Sequence, residues 1–357
     1  MLRAMSGSAT TTLPETMRAS VYHSPGKLSV EERPVPTLEP GDALVAIAGC
    51  GICGTDIHLF RDGMAPRGTI GGHEWAGTIV AVGDAVREWR VGDLVVGGPP
   101  SGCGTCEYCR AARPFLCVSR PGMDGGFGGA FAEFLRIRAK QLFAVPDGLP
   151  LRAAALTEPL AVALHAITRS GVRAGESALV TGAGPLGLLL IAALRAMGVD
   201  DVLVSEPSPT RRERARAAGA TAVCEPEALV VPRMPFDVAE KAVHAAFECS
   251  GAPAAMEAAL ALLRRAGTLV LVGTGGRPPA FDPHRILLNE LVVTGAFNYD
   301  ADGFPRALEL LASGRLPLEA LLEPADAPLE DLAQAIARLG TAEIASKVVI
   351  DPRLRGP

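Results

Sequence analysis

The chain is poor in aromatic residues: Phe, Trp and Tyr make up 4% of its 357 residues, although hydrophobic residues make up 48%. Ala, Val, Leu and Gly must therefore pack the core. Long apolar runs are also missing. The longest, Leu186 to Leu194, ends at Arg195, well short of the ~18–20 residues of a membrane span. Nor does one sign of charge dominate. Lys and Arg number 34 against 39 Asp and Glu, a net charge near −5. A nucleic-acid partner is not expected from that balance, nor a membrane partner from runs so short. The one notable basic run, Arg211-Arg212-Glu213-Arg214, reads as the solvated face of a helix. The N-terminus has Arg3 and Arg18 but no continuous apolar segment, so it does not read as a secretory signal. Residues 1–16 read as a disordered polar leader, with Met17 a candidate start. Eight cysteines without such a signal point to a reducing, cytoplasmic setting. There, clustered cysteines bind metal more often than they pair.

Four of the eight fall within 15 positions: Cys103, Cys106, Cys109 and Cys117. Four thiolates so close in sequence can close a tetrahedral shell around one zinc ion. The surrounding stretch is rich in Gly and Pro and has no helical or strand period, so metal bonds would have to hold it. A second cluster lies upstream, Gly51-Ile-Cys53-Gly-Thr55-Asp56-Ile-His58 followed by Gly72-His73-Glu74. It mixes thiol, imidazole and carboxylate, as open catalytic metal sites do. Cys53 and His73 are candidate ligands, with Glu74 and Glu158 as candidate carboxylates. Asp56 is placed to orient a ligand imidazole. Thr55 and His58 are candidates to carry a proton from a bound alcohol to water. Cys50 and Cys53 also form a C-x-x-C, for which a redox dithiol is the rival reading. Cys224 and Cys249 end apolar strands and read as small core residues. His165 sits in an apolar helical run and reads as packing. His23, His244 and His284 have no clustered partners.

The chain is long enough for about two domains. Residues 18–150 hold short β-type runs separated by turns, among them 43–48, 77–82 and 93–96. After about residue 160 strands and helices alternate. Strands are expected at 177–181, 202–205, 222–224, 245–248, 268–272 and 291–294, with helices at 185–197, 211–218 and 253–263. Such alternation implies a parallel sheet covered on both faces. Helices at 304–313 and 329–339 and a strand at 347–350 follow, and this last stretch is assigned back to the first domain.

Gly182-Ala-Gly184-Pro185-Leu186-Gly187 fits G-x-G-x-x-G. It follows an apolar strand and opens a helix, as dinucleotide binding requires. The first glycine permits the tight turn, the second lets backbone approach a pyrophosphate, and the third lets helix and strand pack closely. Glu206, 19 residues after Gly187, stands where an acid would bind the adenosine ribose. Its charge favours NAD over NADP, while Arg211 and Arg212 could soften that preference by pairing a phosphate.

Taken together, these motifs resemble the zinc-dependent medium-chain dehydrogenase family, the alcohol, polyol and threonine dehydrogenases. The likeness runs from about Met17 to Ile350, with the motifs in the family's order. It implies an α/β architecture: a GroES-like β-barrel catalytic domain plus a Rossmann doubly wound parallel-sheet cofactor domain. The first would be residues 17–160 plus 298–357, with a structural zinc lobe at 98–120, and the second 161–297. Two zinc ions per chain are implied, and an NAD or, as the less favoured form, NADP cofactor. At the third catalytic metal position ethanol-type members carry Cys. Here Thr157-Glu158-Pro159-Leu160 is similar to the polyol members, in which the acid of the His-Glu pair can ligate zinc while the other Glu lies beside it. Both Glu74 and Glu158 therefore stand as candidates. By the same resemblance Lys347 would contact the pyrophosphate and Phe297 would line the nicotinamide site. The implied activity is reversible oxidation of a secondary alcohol, a polyol, cyclitol or sugar-like substrate, by a homodimer or homotetramer. Threonine or amino-alcohol dehydrogenase activity, and a catalytically silent dinucleotide-sensing zinc protein, are the alternatives. Asp62, Arg67 and Arg120 lie near segments expected to form the cleft, but each reads as a surface charge.

Overall fold

A computed structural model describes residues 13–98, 102–119 and 128–356. Residues 1–12 of the proposed leader, residues 99–101 of the zinc lobe and Arg120 lie outside the described residues. The described chain forms two compact units. The first holds the residues up to Glu158 with Pro324–Thr341 and those from Val348 onward. The second holds Pro159–Glu323 with Ala342–Lys347. Residues 298–323 and 342–347, which the sequence pattern assigned to the first domain, thus fall in the second unit.

The first unit is built on antiparallel strands. A hairpin of β1 (Thr16–Ser24) and β2 (Lys27–Pro34) stands beside a sheet of β3 (Asp42–Gly51), β4 (Glu74–Val82), β5 (Leu94–Gly97), β6 (Phe134–Arg138) and β7 (Leu142–Ala144). The C-terminal strand Val349–Ile350 closes one edge against β3. β3 is the central element because its run of Ala, Val, Leu and Ile is buried on nearly every residue. Strands buried on both faces read as continuous apolar runs rather than alternating ones. The register of β3 and β4 places Gly51 opposite Glu74. Residues just beyond those strand ends, Cys53 and His73, are therefore brought together by pairing alone. Helix α1 (Gly54–Arg61) follows directly, α2 (Glu107–Arg110) lies in the four-cysteine segment, and α3 (Leu151–Ala154) precedes the unit boundary.

The second unit begins within α4 (Thr157–Ser170) and contains one parallel sheet. Its strands are β8 (Ser177–Thr181), β9 (Asp201–Ser205), β10 (Ala222–Cys224), β11 (Val243–Glu248), β12 (Leu263–Leu271) and β13 (Val292–Gly295). Their order is β10-β9-β8-β11-β12-β13, the doubly wound Rossmann order in which direction reverses between the first and fourth strands. Helices α5 (Pro185–Ala196), α6 (Pro209–Ala217), α7 (Pro253–Ala261) and α8 (Pro283–Leu288) connect them. The longest apolar run of the sequence lies in α5, where Gly187 to Leu194 are all buried. A helix apolar all round is one that is covered all round. Phe247, at the middle of the sheet in β11, is fully buried. With so few rings in the chain, its volume is not easily replaced. Phe247→Ala is expected to destabilise the second unit by about 3–5 kcal/mol, read from urea unfolding. A loss below about 1 kcal/mol would mean the site collapses around the deletion.

Candidate functional site

Cys53 is the N-cap of α1, and the Asp56 carboxylate accepts the Cys53 backbone N–H at 2.8 Å. This reciprocal capping arrangement fixes the peptide that carries the thiol. Just before the opposing strand, Gly72 has φ +94°, and a methyl placed there would lie 2.8 Å from Cys50 Sγ and 2.9 Å from the Phe131 nitrogen. Only glycine lets the chain turn so tightly into His73. As a result the ligand atoms of Cys53, His73 and Glu74 all lie within 4.8 Å of one another, with Glu74 buried. Burial alone would push the His73 imidazole below its ordinary value. The Cys53 thiolate that bonds it, with Asp56 and Glu158, instead carries it well above. The pocket concentrates negative charge around the imidazole. That donor set suits zinc. Glu158 exerts its field on His73, but it is not among the three residues whose ligand atoms converge. Geometry therefore favours Glu74 over Glu158 as the carboxylate in direct reach.

Thr55 and His58 are one turn apart on α1 and so share a face. Cys53 Sγ lies 3.7 Å from the Thr55 hydroxyl oxygen. His58 Nδ1 is 3.0 Å from Asp62 Oδ2. Arg61, and then His58, hold the Asp62 carboxyl down to about 2. It is therefore an anion across the working pH range. An anionic acceptor on Nδ1 keeps the proton there and leaves Nε2 as the acceptor. Sequence reading treated Asp62 as a surface charge, although an acid four residues after a helical histidine was a legible signal.

The other four ligand sulfurs, of Cys103, Cys106, Cys109 and Cys117, also lie within 4.8 Å of one another. Cys103 Sγ is 3.9 Å from Cys109 Sγ and accepts the Cys106 N–H at 3.3 Å and the Thr105 hydroxyl at 3.4 Å. These donors hold the Cys103 thiol down to about 5, whereas burial pushes Cys109 up to about 12. A bound dication resolves that conflict, because it favours the thiolate at every ligand. The stretch that showed no period in the sequence contains two short turns of helix, α2 and the 3-10 turn Pro114–Leu116. They are too short to carry a signature of their own.

The dinucleotide motif belongs to the second unit. Gly182 has φ +89°, directly after β8, and a methyl on Gly187 would fall on the Gly182 carbonyl oxygen. Pro185 takes the first position of α5, so the first-turn N–H groups of Leu186 and Gly187 are the ones a helix leaves for an anion. A methyl on Gly184 would meet only the Arg211 guanidinium, at 3.9–4.0 Å, so the backbone there can be approached closely. Glu206 is 3% exposed and accepts the Ala183 N–H at 2.7 Å and the Ser208 N–H at 2.9 Å. Each carboxylate oxygen keeps a further acceptor direction. Arg211 Nη2 donates to the Ile344 carbonyl at 3.2 Å, which ties the 342–347 segment to the start of α6. Lys347 is buried in that segment, its backbone bonded to Leu321 and Glu323. Arg212 is spent on the Glu206 and Pro207 carbonyls and on Glu225. Phe297 follows β13 and is 52% exposed. His165, read as packing, also bonds Asp300 at 2.9 Å.

Residues 39–147 match the alcohol dehydrogenase GroES-like domain family, and residues 185–313 the zinc-binding dehydrogenase family. Sorbitol dehydrogenase of Bacillus subtilis (strain 168) is 36% identical over 320 residues, covering 85% of this chain and 88% of that protein. The chain belongs to the zinc-dependent medium-chain dehydrogenase family. Another relative of this medium-chain dehydrogenase, the (R,R)-butanediol dehydrogenase of Neisseria gonorrhoeae, is 32% identical over 362 residues, covering 95% of this chain and all of that one. Among solved structures, a zinc-binding dehydrogenase of Sinorhizobium meliloti 1021 bound to NADP superposes with a TM-score of 0.85 at 30% identity, covering 95% of this chain and all of that one. The medium-chain dehydrogenase therefore combines a GroES-like catalytic domain with a Rossmann cofactor domain. Zinc and NAD(P) are its family cofactors. Its metal candidates all lie in the first unit and its dinucleotide candidates all in the second.

The purified dehydrogenase is expected to hold about two zinc ions per chain, one for each donor set. Glu74→Gln should lower that by about one ion while leaving the lobe loaded, measured by atomic emission. An unchanged count would remove Glu74 from the ligand set. The lobe also has a pH signature. The Cys103 value is depressed from its ordinary 9.0 to about 5. The Cys103 contribution is therefore present above the ordinary thiol value and lost as pH falls through about 5, while Cys109 is displaced the other way; with zinc bound, protons compete with the ion at all four sulfurs. Zinc release followed from pH 8 to pH 4 with a chromogenic chelator should show the lobe's ion leaving near the low end. Full release already at about pH 7 would contradict it.

Proposed function

We propose that the chain catalyses reversible NAD-linked oxidation of a secondary alcohol of the polyol, cyclitol or sugar-like class to the ketone. The observation that carries this reading is the convergence of Cys53, His73 and Glu74 within 4.8 Å, in a chain that also holds a glycine loop braced by Glu206. A zinc ion in that donor set supplies Lewis acidity to an alcohol hydroxyl, and a bound nicotinamide supplies the hydride acceptor. Cys53, His73 and Glu74 hold the ion. Glu158 adds a neighbouring negative charge that tempers it. The four lobe cysteines hold a second, structural zinc.

The net change removes one hydride and one proton from the carbinol carbon and its hydroxyl. The proton is the part that this chain's side chains handle. Thr55, beside the Cys53 sulfur, would accept it, and His58, one turn along the same helix, would pass it on to water. The bond from His58 Nδ1 to Asp62 keeps the other ring nitrogen ready to receive. Gly182, Gly184, Pro185, Leu186 and Gly187 cradle the pyrophosphate, with Arg211 and Lys347 as its cations. Glu206 takes the adenosine ribose, and Phe297 lines the nicotinamide. A buried carboxylate at the ribose repels a 2′-phosphate, which supports NAD over NADP even though the Sinorhizobium meliloti relative is bound to NADP.

The polyol class is supported by two relatives whose names are sorbitol and butanediol dehydrogenases, and by Glu-Pro-Leu at residues 158–160. The four lobe cysteines converge as a metal-ligand set, which supports a reducing, cytoplasmic setting. No helix among the described residues is long and apolar enough to cross a membrane. The edge strand β13, with Leu287, Leu288 and Val292 exposed beside it, supports pairing of second units into a homodimer or homotetramer.

A panel of polyols, cyclitols, amino alcohols and simple secondary alcohols with NAD and NADP tests the reading. Activity should be highest on a polyol or cyclitol, with kcat/KM for NAD at least about tenfold above NADP, equal to ~1.4 kcal/mol. Turnover confined to amino alcohols, or an NADP preference, would overturn the corresponding part. Cys53→Ser should abolish turnover with NADH binding intact. Retained turnover, or loss of NADH binding, would count against the metal assignment. Asp62→Asn should lower kcat about 10-fold or more if the relay runs through His58, with rescue by Asp62→Glu.

A further inference from the structure

We propose that Glu248 is a positioning residue for the nicotinamide-nucleotide half of the dinucleotide, fixing the Cys249–Gly251 turn as the floor of that half-site. The inference rests on the reading above that the second unit binds NAD. Glu248 is the last residue of β11 and is fully buried. A buried carboxylate is costly unless its oxygens are hydrogen-bonded. Among the described residues no cationic side chain pairs with it. All its donors come from the next few residues. Oε1 accepts the Ser250 N–H at 2.7 Å, the Gly251 N–H at 3.0 Å and the Ser250 hydroxyl, and Oε2 accepts the Gly251 N–H at 3.1 Å. The charge is thus spent on shaping one turn.

That turn lies where the sheet places a ligand. Strand order reverses between β8 and β11, and ligands of such sheets bind beyond the C-terminal strand ends at that reversal. The glycine loop leaves the end of β8, and the Glu248 turn leaves the end of β11. They touch: a methyl on Gly182 would lie 3.0 Å from Ser250 Cβ, and one on Gly187 would lie 3.8 Å from Cys249 Cβ. On the far side the turn meets the loop after β12, where a methyl on Gly251 would lie 2.5 Å from the Thr274 oxygen. The Cys249 N–H also donates to the Thr181 carbonyl at 2.8 Å. Each half of a doubly wound sheet takes one nucleotide. Glu206 braces the glycine loop from the β9 side through Ala183, in the adenosine half. Glu248 is its counterpart in the other half, acting through backbone N–H groups in the same way.

The test compares the zinc-loaded wild-type chain with Glu248→Gln and Ser250→Ala by calorimetric titration with AMP and with NADH. AMP reports the adenosine half alone. Glu248→Gln replaces charge-assisted bonds by weaker neutral ones, and should weaken NADH binding about tenfold or more while AMP changes less than about twofold. The KM for NAD should rise in parallel. Ser250→Ala removes only the hydroxyl, and should shift the NADH-to-AMP affinity ratio in the same direction by a smaller factor. It decides the matter if Glu248→Gln does not fold. An unchanged ratio, whether both affinities fall together or neither moves, would overturn the proposal, even with a lowered melting temperature. A wild-type chain that binds neither AMP nor NADH would instead overturn the cofactor reading itself.

Discussion

Negative charge crowded into a small, half-buried volume is the constraint around which the first unit is organised. Cys53, His73 and Glu74 approach within 4.8 Å, and nearby Asp56 and Glu158 add their fields. The thiolate and carboxylates of that set, alike in sign, repel in a partly desolvated space, although they draw the His73 imidazole beside them toward its protonated form. A divalent cation converts that repulsion into binding. Much of the surrounding backbone serves to enforce the approach: the capping arrangement at α1, the left-handed turn at Gly72 and the β3–β4 register all act on the same few ångströms.

Carboxylates recur in a second role in this protein, as braces of backbone. Asp56 holds the Cys53 peptide, Glu206 holds Ala183 and Ser208, and Glu248 holds Ser250 and Gly251. In each case a side-chain anion satisfies N–H groups that a turn or helix start leaves without partners. The gain is geometric. A loop that must present backbone to a ligand cannot also rely on large side chains for rigidity, and an aromatic-poor chain has few rings to spare. Buried acceptors supply the rigidity instead.

Much of this was legible before any fold was known. The strands at 177–181 and 222–224 were placed to the residue, and most other elements to within a few positions. Both depend on strong local signals: apolar runs, proline at helix starts and glycine at turns. The start of β12 at Leu263 was not legible, since Leu263-Arg264-Arg265-Ala266 reads as the end of the preceding helix. The four-cysteine segment and the G-x-G-x-x-G loop were legible because their partners are close in sequence. Asp62 and Glu248 were passed over for opposite reasons. Asp62 looked like an ordinary surface acid, and Glu248 like the end of a strand.

The order of chemical types along the chain, and with it the family, the paired metal signatures and the acid after the glycine loop, was determined by the amino-acid sequence alone. Such motifs encode short-range geometry, which a few neighbouring residues can specify. Which acid joins Cys53 and His73, which residues go with the second unit, and how Glu248 spends its charge were decided only in three dimensions. Glu74 enters the tight cluster because antiparallel pairing sets Gly51 against it, while Glu158, 84 positions further along, exerts its field on His73 without joining that cluster. A separation of 84 positions does not by itself set a distance in space, so the packing of the strands and helices ranked the two.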